Sequence, residues 1–179
     1  MPGFAALLGS INVGGGNQLK MADLKSAMQE TGFANVATVV ASGNVLFDHP
    51  QTSDAVLAEI IAELVRSRFN IATFACVRTR SELQAALAEN PFAGVGEDKF
   101  VHVHFLETQP EPEAFAKLAE DHAGRGPELL APGTRALHVD YVGGFGTSKL
   151  TGDFITRRLG CRHTARNVRS LRRIIETMH

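Results

Sequence analysis

Val36-Ala-Thr-Val-Val-Ala41, Ser42-Gly43-Asn44 and Val45-Leu-Phe47 form the stretch on which the fold turns. Two short β-prone runs around a Gly-Asn step read as a tight hairpin, because both turn residues tolerate positive φ. Upstream, Met21–Thr31 places Leu24, Ala27 and Met28 on one helical face, and Gly32 offers a left-handed stop with Phe33 packing back. Downstream, Ser53 can cap a helix running to Phe69, with Val56, Leu57, Ile60, Ile61, Leu64 and Val65 turned inward. The apolar runs Phe4–Leu8 and Ile71–Val77 bracket the whole as strands. The resulting order over residues 4–77, β-α-β-β-α-β, is that of the ferredoxin-like split βαβ unit.

A similar pattern follows. Thr79 and Glu82 form a capping box that opens a helix ending near Asn90-Pro91. Phe100–Leu106 reads as a strand and Pro112–Ala123 as a helix with Phe115, Leu118 and Ala119 inward. Glu128–Ala131 and Arg135–Val142 read as strands around Pro132-Gly133-Thr134, and Ser148–Leu159 and Ala165–Met178 as helices. The expected fold class is therefore α+β, two ferredoxin-like halves packed together, at 1–78 and 79–179, with basic helices closing the second half.

The chain has 179 residues, 44% hydrophobic and 21% charged, which excludes disorder, collagen-like repeats and coiled coil as the main architecture. Its net charge of −1 hides an asymmetry. Residues 1–146 hold 10 Lys/Arg against 17 Asp/Glu, a balance of −7, while residues 147–179 hold 8 against 2, a balance of +6. The N-terminus lacks a basic segment followed by an apolar one, and no apolar run approaches a membrane span. A cytoplasmic protein without a membrane partner is expected, with Cys76 and Cys161 reduced.

Six motifs in sequence carry a family resemblance. They are Leu7-Leu8 with Ile11-Asn12-Val13-Gly14-Gly15; Ser42-Gly43-Asn44-Val45 with Phe47; Asn90-Pro91-Phe92; Phe105-Leu106; Ser148-Lys149-Leu150; and Thr164-Ala165-Arg166-Asn167. In this order and over nearly the whole chain, the sequence resembles the bacterial domain of unknown function family 1697. The resemblance implies an α+β fold of two ferredoxin-like halves and implies no activity. Two departures stand out: Gly9-Ser10 replaces a common Arg-Gly, and Val168 replaces a common Trp after the Arg-Asn pair. Any ligand those residues serve in relatives would be bound differently here or not at all.

The residues themselves offer several places for chemistry. Asn12-Val13-Gly14-Gly15-Gly16-Asn17 lies between strand and helix, where adjacent glycines can turn backbone N–H groups toward an anion. It is neither a Walker loop nor a dinucleotide fingerprint. In a split βαβ unit the first two strands run parallel, so their carboxyl ends share one sheet edge. That brings the 12–17 loop beside Ser42, Gly43 and Asn44, at a usual position for a ligand. The same glycines and amides could equally serve only to join two loops.

Ser148 and Lys149 follow Gly143-Gly144-Phe145-Gly146-Thr147 at an expected helix start, where an anion would neutralise the lysine. Arg157, Arg158, Arg162, Arg166, Arg169, Arg172 and Arg173 form a basic tail, with Asn167 beside Arg166. On a helical wheel from residue 166, Arg166, Arg169, Arg172 and Arg173 oppose Val168, Leu171, Ile174, Ile175 and Met178. The arginines suit phosphate or carboxylate recognition, or pairing with acids of the −7 body. His102 and His104 share a strand face with Phe100 and Leu106, which reads as packed neutral histidines rather than a metal site. No cofactor and no catalytic nucleophile can be read.

Three functions remain open. The first is binding of a phosphate-bearing small molecule or nucleotide at the glycine-rich loops. The second is nucleic-acid binding through the arginine-rich C-terminal face, which the absent RNA-recognition octamer, the absent tryptophan, a third strand with only Phe47 as an aromatic and a pI near 6.7 disfavour. The third is self-assembly without catalysis. The first is preferred.

Overall fold

The structure is a computed structural model that describes residues 3–11, 18–40 and 43–178. The elements run β1 (Phe4–Gly9), α1 (Met21–Glu30), β2 (Ala34–Thr38), β3 (Asn44–Asp48), α2 (Asp54–Phe69), β4 (Phe74–Thr79) and α3 (Arg80–Glu89). Then come β5 (Val101–Leu106), α4 (Pro112–His122), β6 (Leu129–Gly133), β7 (Ala136–Asp140), α5 (Gly152–Leu159), β8 (His163–Asn167) and α6 (Val168–Thr177). The strands form two four-stranded antiparallel sheets of the same order, β2-β3-β1-β4 and β6-β7-β5-β8. This is the expected α+β fold with two split βαβ units. By contacts the chain divides into two compact units, Met1–Leu83 with Arg172–His179, and Gln84–Leu171.

Local sequence explains the boundaries in the first unit. Gly32 (φ 97°) ends α1, where the Phe33 N–H reaches back 3.1 Å to the Met28 carbonyl and Phe33 is buried. The Ser53 hydroxyl caps α2 through the Val56 N–H, and Asn70 (φ 54°) closes it in the left-handed conformation. Ala6 and Leu8 of β1, Val45 and Phe47 of β3, and Ala75 and Val77 of β4 bury against Leu24 and Met28 of α1 and Leu57, Ile61 and Val65 of α2. In the second unit, Leu137 and Val139 of β7 with Leu106 of β5 bury against Phe115 and Leu118 of α4 and Phe154, Ile155 and Leu159 of α5. Burying whole side chains of this kind stabilises by about 1.5–3 kcal/mol each.

The repeat extends one element further than the sequence reading took it. Thr79, the last residue of β4, accepts the Glu82 N–H at 3.2 Å while Glu82 takes the Thr79 N–H, so the expected capping box opens α3. Asn167, the last residue of β8, accepts the Ser170 N–H at 2.8 Å and opens α6 in the same way. Each sheet thus ends in a strand whose final side chain caps the next helix.

Four expectations are corrected. The run 71–77 begins its strand only at Phe74. Among the described residues of the first hairpin turn, Val40 (53°) and Gly43 (81°) have positive φ, while Asn44 is already in β3. The helix expected from Ser148 begins at Gly152, because Thr151 supplies the cap to the Phe154 N–H. The helix expected from Ala165 begins at Val168, because His163–Asn167 pairs along β5 as the fourth strand. Among the described residues no helix is long and apolar enough to cross a membrane.

Candidate functional site

Asn12, Gly14, Gly15, Gly16, Asn17 and Ser42 lie outside the described residues. What flanks them is described. Leu7 pairs with Asn44, so the carboxyl end of β1 meets the start of β3, and the Leu8 N–H donates to the Gly43 carbonyl at 2.8 Å. The Gly43 N–H in turn lies 3.4 Å from the sulfur of Met21, the first residue of α1. The end of β1, the β2–β3 turn and the start of α1 therefore converge at one sheet edge. Asn44 is buried, and its side-chain amide donates to the Val40 carbonyl at 3.0 Å, holding the turn.

The start of α1 differs from most helix starts in this protein. α2, α3, α5 and α6 are each capped by a side chain, from Ser53, Thr79, Thr151 and Asn167. At α1 the N-cap position holds Lys20, an exposed residue that makes no capping hydrogen bond. A cation at the positive end of a helix dipole is unfavourable, and Asp23 is the acid of the first turn that counters it.

The other sequence-derived residues are placed as follows. The Ser148 hydroxyl donates to a Glu128 carboxylate oxygen and accepts the Leu150 N–H at 3.0 Å. It is a loop tie, and exposed Lys149 stands before the helix rather than in its first turn. Arg166 lies on β8, not on the arginine face of α6, and its guanidinium donates to the Thr164 hydroxyl and the Ala165 carbonyl. Asn167 is occupied as the α6 cap. On α6, Val168, Leu171, Ile174 and Ile175 are buried, as is Met178 just past its end, and Arg169, Arg172 and Arg173 are exposed, in agreement with the wheel. Two tail arginines pair with acids: Arg158 with Asp121 at 3.1 Å, stacked on Phe154, and Arg162 with both Glu107 oxygens.

Sequence reasoning missed one constellation. His104 Nε2 lies 2.9 Å from the Tyr141 hydroxyl, His104 Nδ1 lies 3.0 Å from His163 Nδ1, and His163 Nε2 lies 3.1 Å from the Gly152 carbonyl. The carbonyl can only accept, so His163 carries its proton on Nε2 and accepts at Nδ1. His104 must then donate from Nδ1 and accept at Nε2, and Tyr141 must donate. The proton order is fixed from Tyr141 to Gly152. Burial holds all three histidines of this face, His102, His104 and His163, below the ordinary value. For His104 the neighbouring histidines add to that effect, while the Phe100 and Gly152 carbonyls partly offset it for His102 and His163. Burial likewise pushes the Tyr141 hydroxyl upward, with Glu128 adding to it. Phe145, half exposed, stacks on His102 and meets Tyr141 edge-on, each at 5.0 Å between ring centres. The cue in the sequence is the alternation of His102 and His104 on an inward strand face. Among the described residues no three His, Cys, Asp or Glu are arranged to hold a metal ion.

Paired split βαβ units with an open sheet edge define a class of α+β protein rather than a reaction. The chain belongs to the family described as "Protein of unknown function (DUF1697)", whose model matches residues 1–138. Among solved structures it is similar to the conserved bacterial protein SP0830 from Streptococcus pneumoniae, at 18% identity and a TM-score of 0.69, over 99% of each chain. That likeness is one of fold. No curated protein matches. Where the resemblance expects Arg-Gly, Ser10 adopts a left-handed φ of 59°, which a glycine takes without strain. A Cβ on Gly9 would lie 2.3 Å from the Phe74 ring, so an arginine at position 9 requires that ring to move.

Proposed function

We propose that this protein binds an anionic, phosphate-bearing small molecule or nucleotide at the β1–α1 edge. The observation that supports this best is the convergence of the β1 end, the Gly43 turn and the start of α1, joined by the Gly43–Met21 contact. An anion there would offset Lys20 and pair with the uncapped helix end, where Asp23 is the one acid of the first turn. The glycines of 14–16 would let backbone amides approach it, with Asn12, Asn17 and Ser42 as polar partners. The reading is of a binding site and names no reaction. The pairing of Arg158 and Arg162 with acids favours a small ligand over a nucleic acid.

The test is a thermal-shift panel of pyrophosphate, nucleotides and phosphorylated sugars. At about 100 times Kd a true ligand stabilises by roughly 2.7 kcal/mol, which in a chain of this size raises Tm by about 5–10 °C. Lys20→Ala and Asn12→Ala should remove the response while leaving the melting point of the free protein nearly unchanged. A flat response across the panel sinks the proposal.

A further inference from the structure

The second sheet has its own carboxyl edge, built as the first one is. β5 and β6 run parallel with β7 between them, so the β5–α4 loop meets the β6–β7 turn. Gln109 makes that junction: its side chain accepts the Arg135 N–H at 2.6 Å and donates to the Gly133 carbonyl at 3.3 Å. At this edge lies a cleft of about 490 Å³, walled by Gln109, Pro110, Pro112, Phe115 and Gly133 together with Glu89 from the end of α3. Its size falls within the range of small-molecule sites.

The carboxylate of Glu89 is held in place. Oε1 accepts the Thr134 N–H at 2.8 Å and the Thr134 hydroxyl at 2.7 Å, and Oε2 accepts His138 Nε2–H at 2.8 Å. His138 is fully buried beneath it, and burial holds that imidazole below its ordinary value although Glu89 pulls the other way. None of these donors is a Lys or Arg. Among the described residues no Lys or Arg pairs with Glu89. Gly133 is fitted to the arrangement: a Cβ there would lie 2.6 Å from both Glu89 Oε2 and His138 Nε2.

We propose that the Glu89 cleft binds an organic cation, an alkylammonium or guanidinium whose charged head pairs with Glu89 while its carbon stem lies against Pro110, Pro112 and Phe115. Charge complementarity supports this: the cleft is lined by Glu89 and Glu111 and by no basic residue. The positive end of α4 does not reverse the sign. Glu111 and Glu113 flank it, and Pro112 removes one of its free N–H groups. The proposal does not depend on the anion site of the first unit.

The experiment is an NMR titration of the full chain with n-butylguanidinium and n-butylammonium, using n-butylurea as the uncharged control. Small ligands of this size bind with Kd near ~1 mM. The expected result is saturable movement of the Gln109, Gly133 and Thr134 amides with the cations and none with the urea. Glu89→Gln should weaken the cations at least ~10-fold. If that variant fails to fold, the wild-type chain still decides, because high salt must suppress cation binding and leave any apolar binding intact. Absence of saturation, equal binding of the urea, or shifts centred away from these amides overturns the proposal. A short arginine peptide binding tighter than n-butylguanidinium would identify the source as a protein chain, and equal or weaker binding a free metabolite.

Discussion

Ala6 and His104 hold corresponding positions in the two sheets. Each faces the helices, one step before the residue opposite the start of the next hairpin strand, Leu7 opposite Asn44 and Phe105 opposite Ala136. Ala6 is flanked by Val45 and Val77, and His104 by Leu137 and Ala165. On the same faces Phe4 corresponds to His102, Leu8 to Leu106 and Ala75 to His163. One strand order therefore supports two interiors. The first is lined by hydrocarbon side chains that bury apolar surface. The second carries a hydrogen-bonded row in which each member must be satisfied, since an orphaned buried polar group costs about 1–3 kcal/mol. Topology fixes where the layers sit, and the side chains decide whether the layer responds to protons.

The largest expected effect tests the hydrocarbon interior. Phe47 is fully buried, edge-on to Phe33 at 5.1 Å and stacked on Phe4 at 5.6 Å. Phe47→Ala should cost about 3–5 kcal/mol by urea denaturation, by the same amount at pH 7 and pH 5.

Acid should separate the two interiors. The pKa values of His102, His104 and His163 are depressed in the folded state, so the unfolded chain binds more protons. Their contribution is whole above the unfolded value of about 6.5 and is lost as pH falls below it toward the folded values. Asp140 beside His102 and Asp153 beside His163 moderate the effect without reversing its sign. Each histidine that must charge contributes up to about 1.4 kcal/mol per pH unit, so a loss of roughly 2 kcal/mol or more is expected between pH 7 and pH 5. Hydrogen exchange should show the loss first in β5, β7 and β8. An unchanged second sheet at pH 5 would break the comparison.

Tyr141→Phe removes the first donor of the row and leaves His104 Nε2 buried without a partner. Denaturation at pH 7 should show a loss of about 1–3 kcal/mol. The smallest effect lies in the backbone. Val142, two residues past β7, sits at a φ of 53° and is half exposed, and no described residue just after β3 has a positive φ. Relief of a left-handed β-branched residue, less the entropy of a freer unfolded chain, should make Val142→Gly stabilising by up to about 1 kcal/mol in a melting experiment.

Much of this was legible in the sequence because its signals are local. Gly32 with Phe33, Ser53, and Thr79 with Glu82 each act within a few residues, and the structure shows them at the expected helix ends. The misplaced elements depend on partners far away. His163–Asn167 is a strand because β5 lies beside it, and it has only one β-branched residue, Thr164, to announce that. The Ser148 hydroxyl looks like a helix cap until Glu128, twenty residues earlier, claims it. The inward histidines could be read from their alternation, but their partners Tyr141 and His163 are 37 and 59 residues from His104. The cleft at Glu89 was not legible at all, since it needs the end of α3 to arrive beside a turn 45 residues later.

The row from Tyr141 to Gly152 has a polarity as well as an order. All of its protons sit on the Tyr141 side of their hydrogen bonds, so the three bonds run donor to acceptor in one sense along the row. Reversing one alone would set two donors, or two lone pairs, face to face. Reorientation must be concerted across Tyr141, His104 and His163, and His163 cannot take part while the Gly152 carbonyl holds its Nε2 proton. Each ring should accordingly show one tautomer in imidazole nitrogen spectra. The second unit thus contains a row of one fixed proton order where the corresponding positions in the first hold only hydrocarbon.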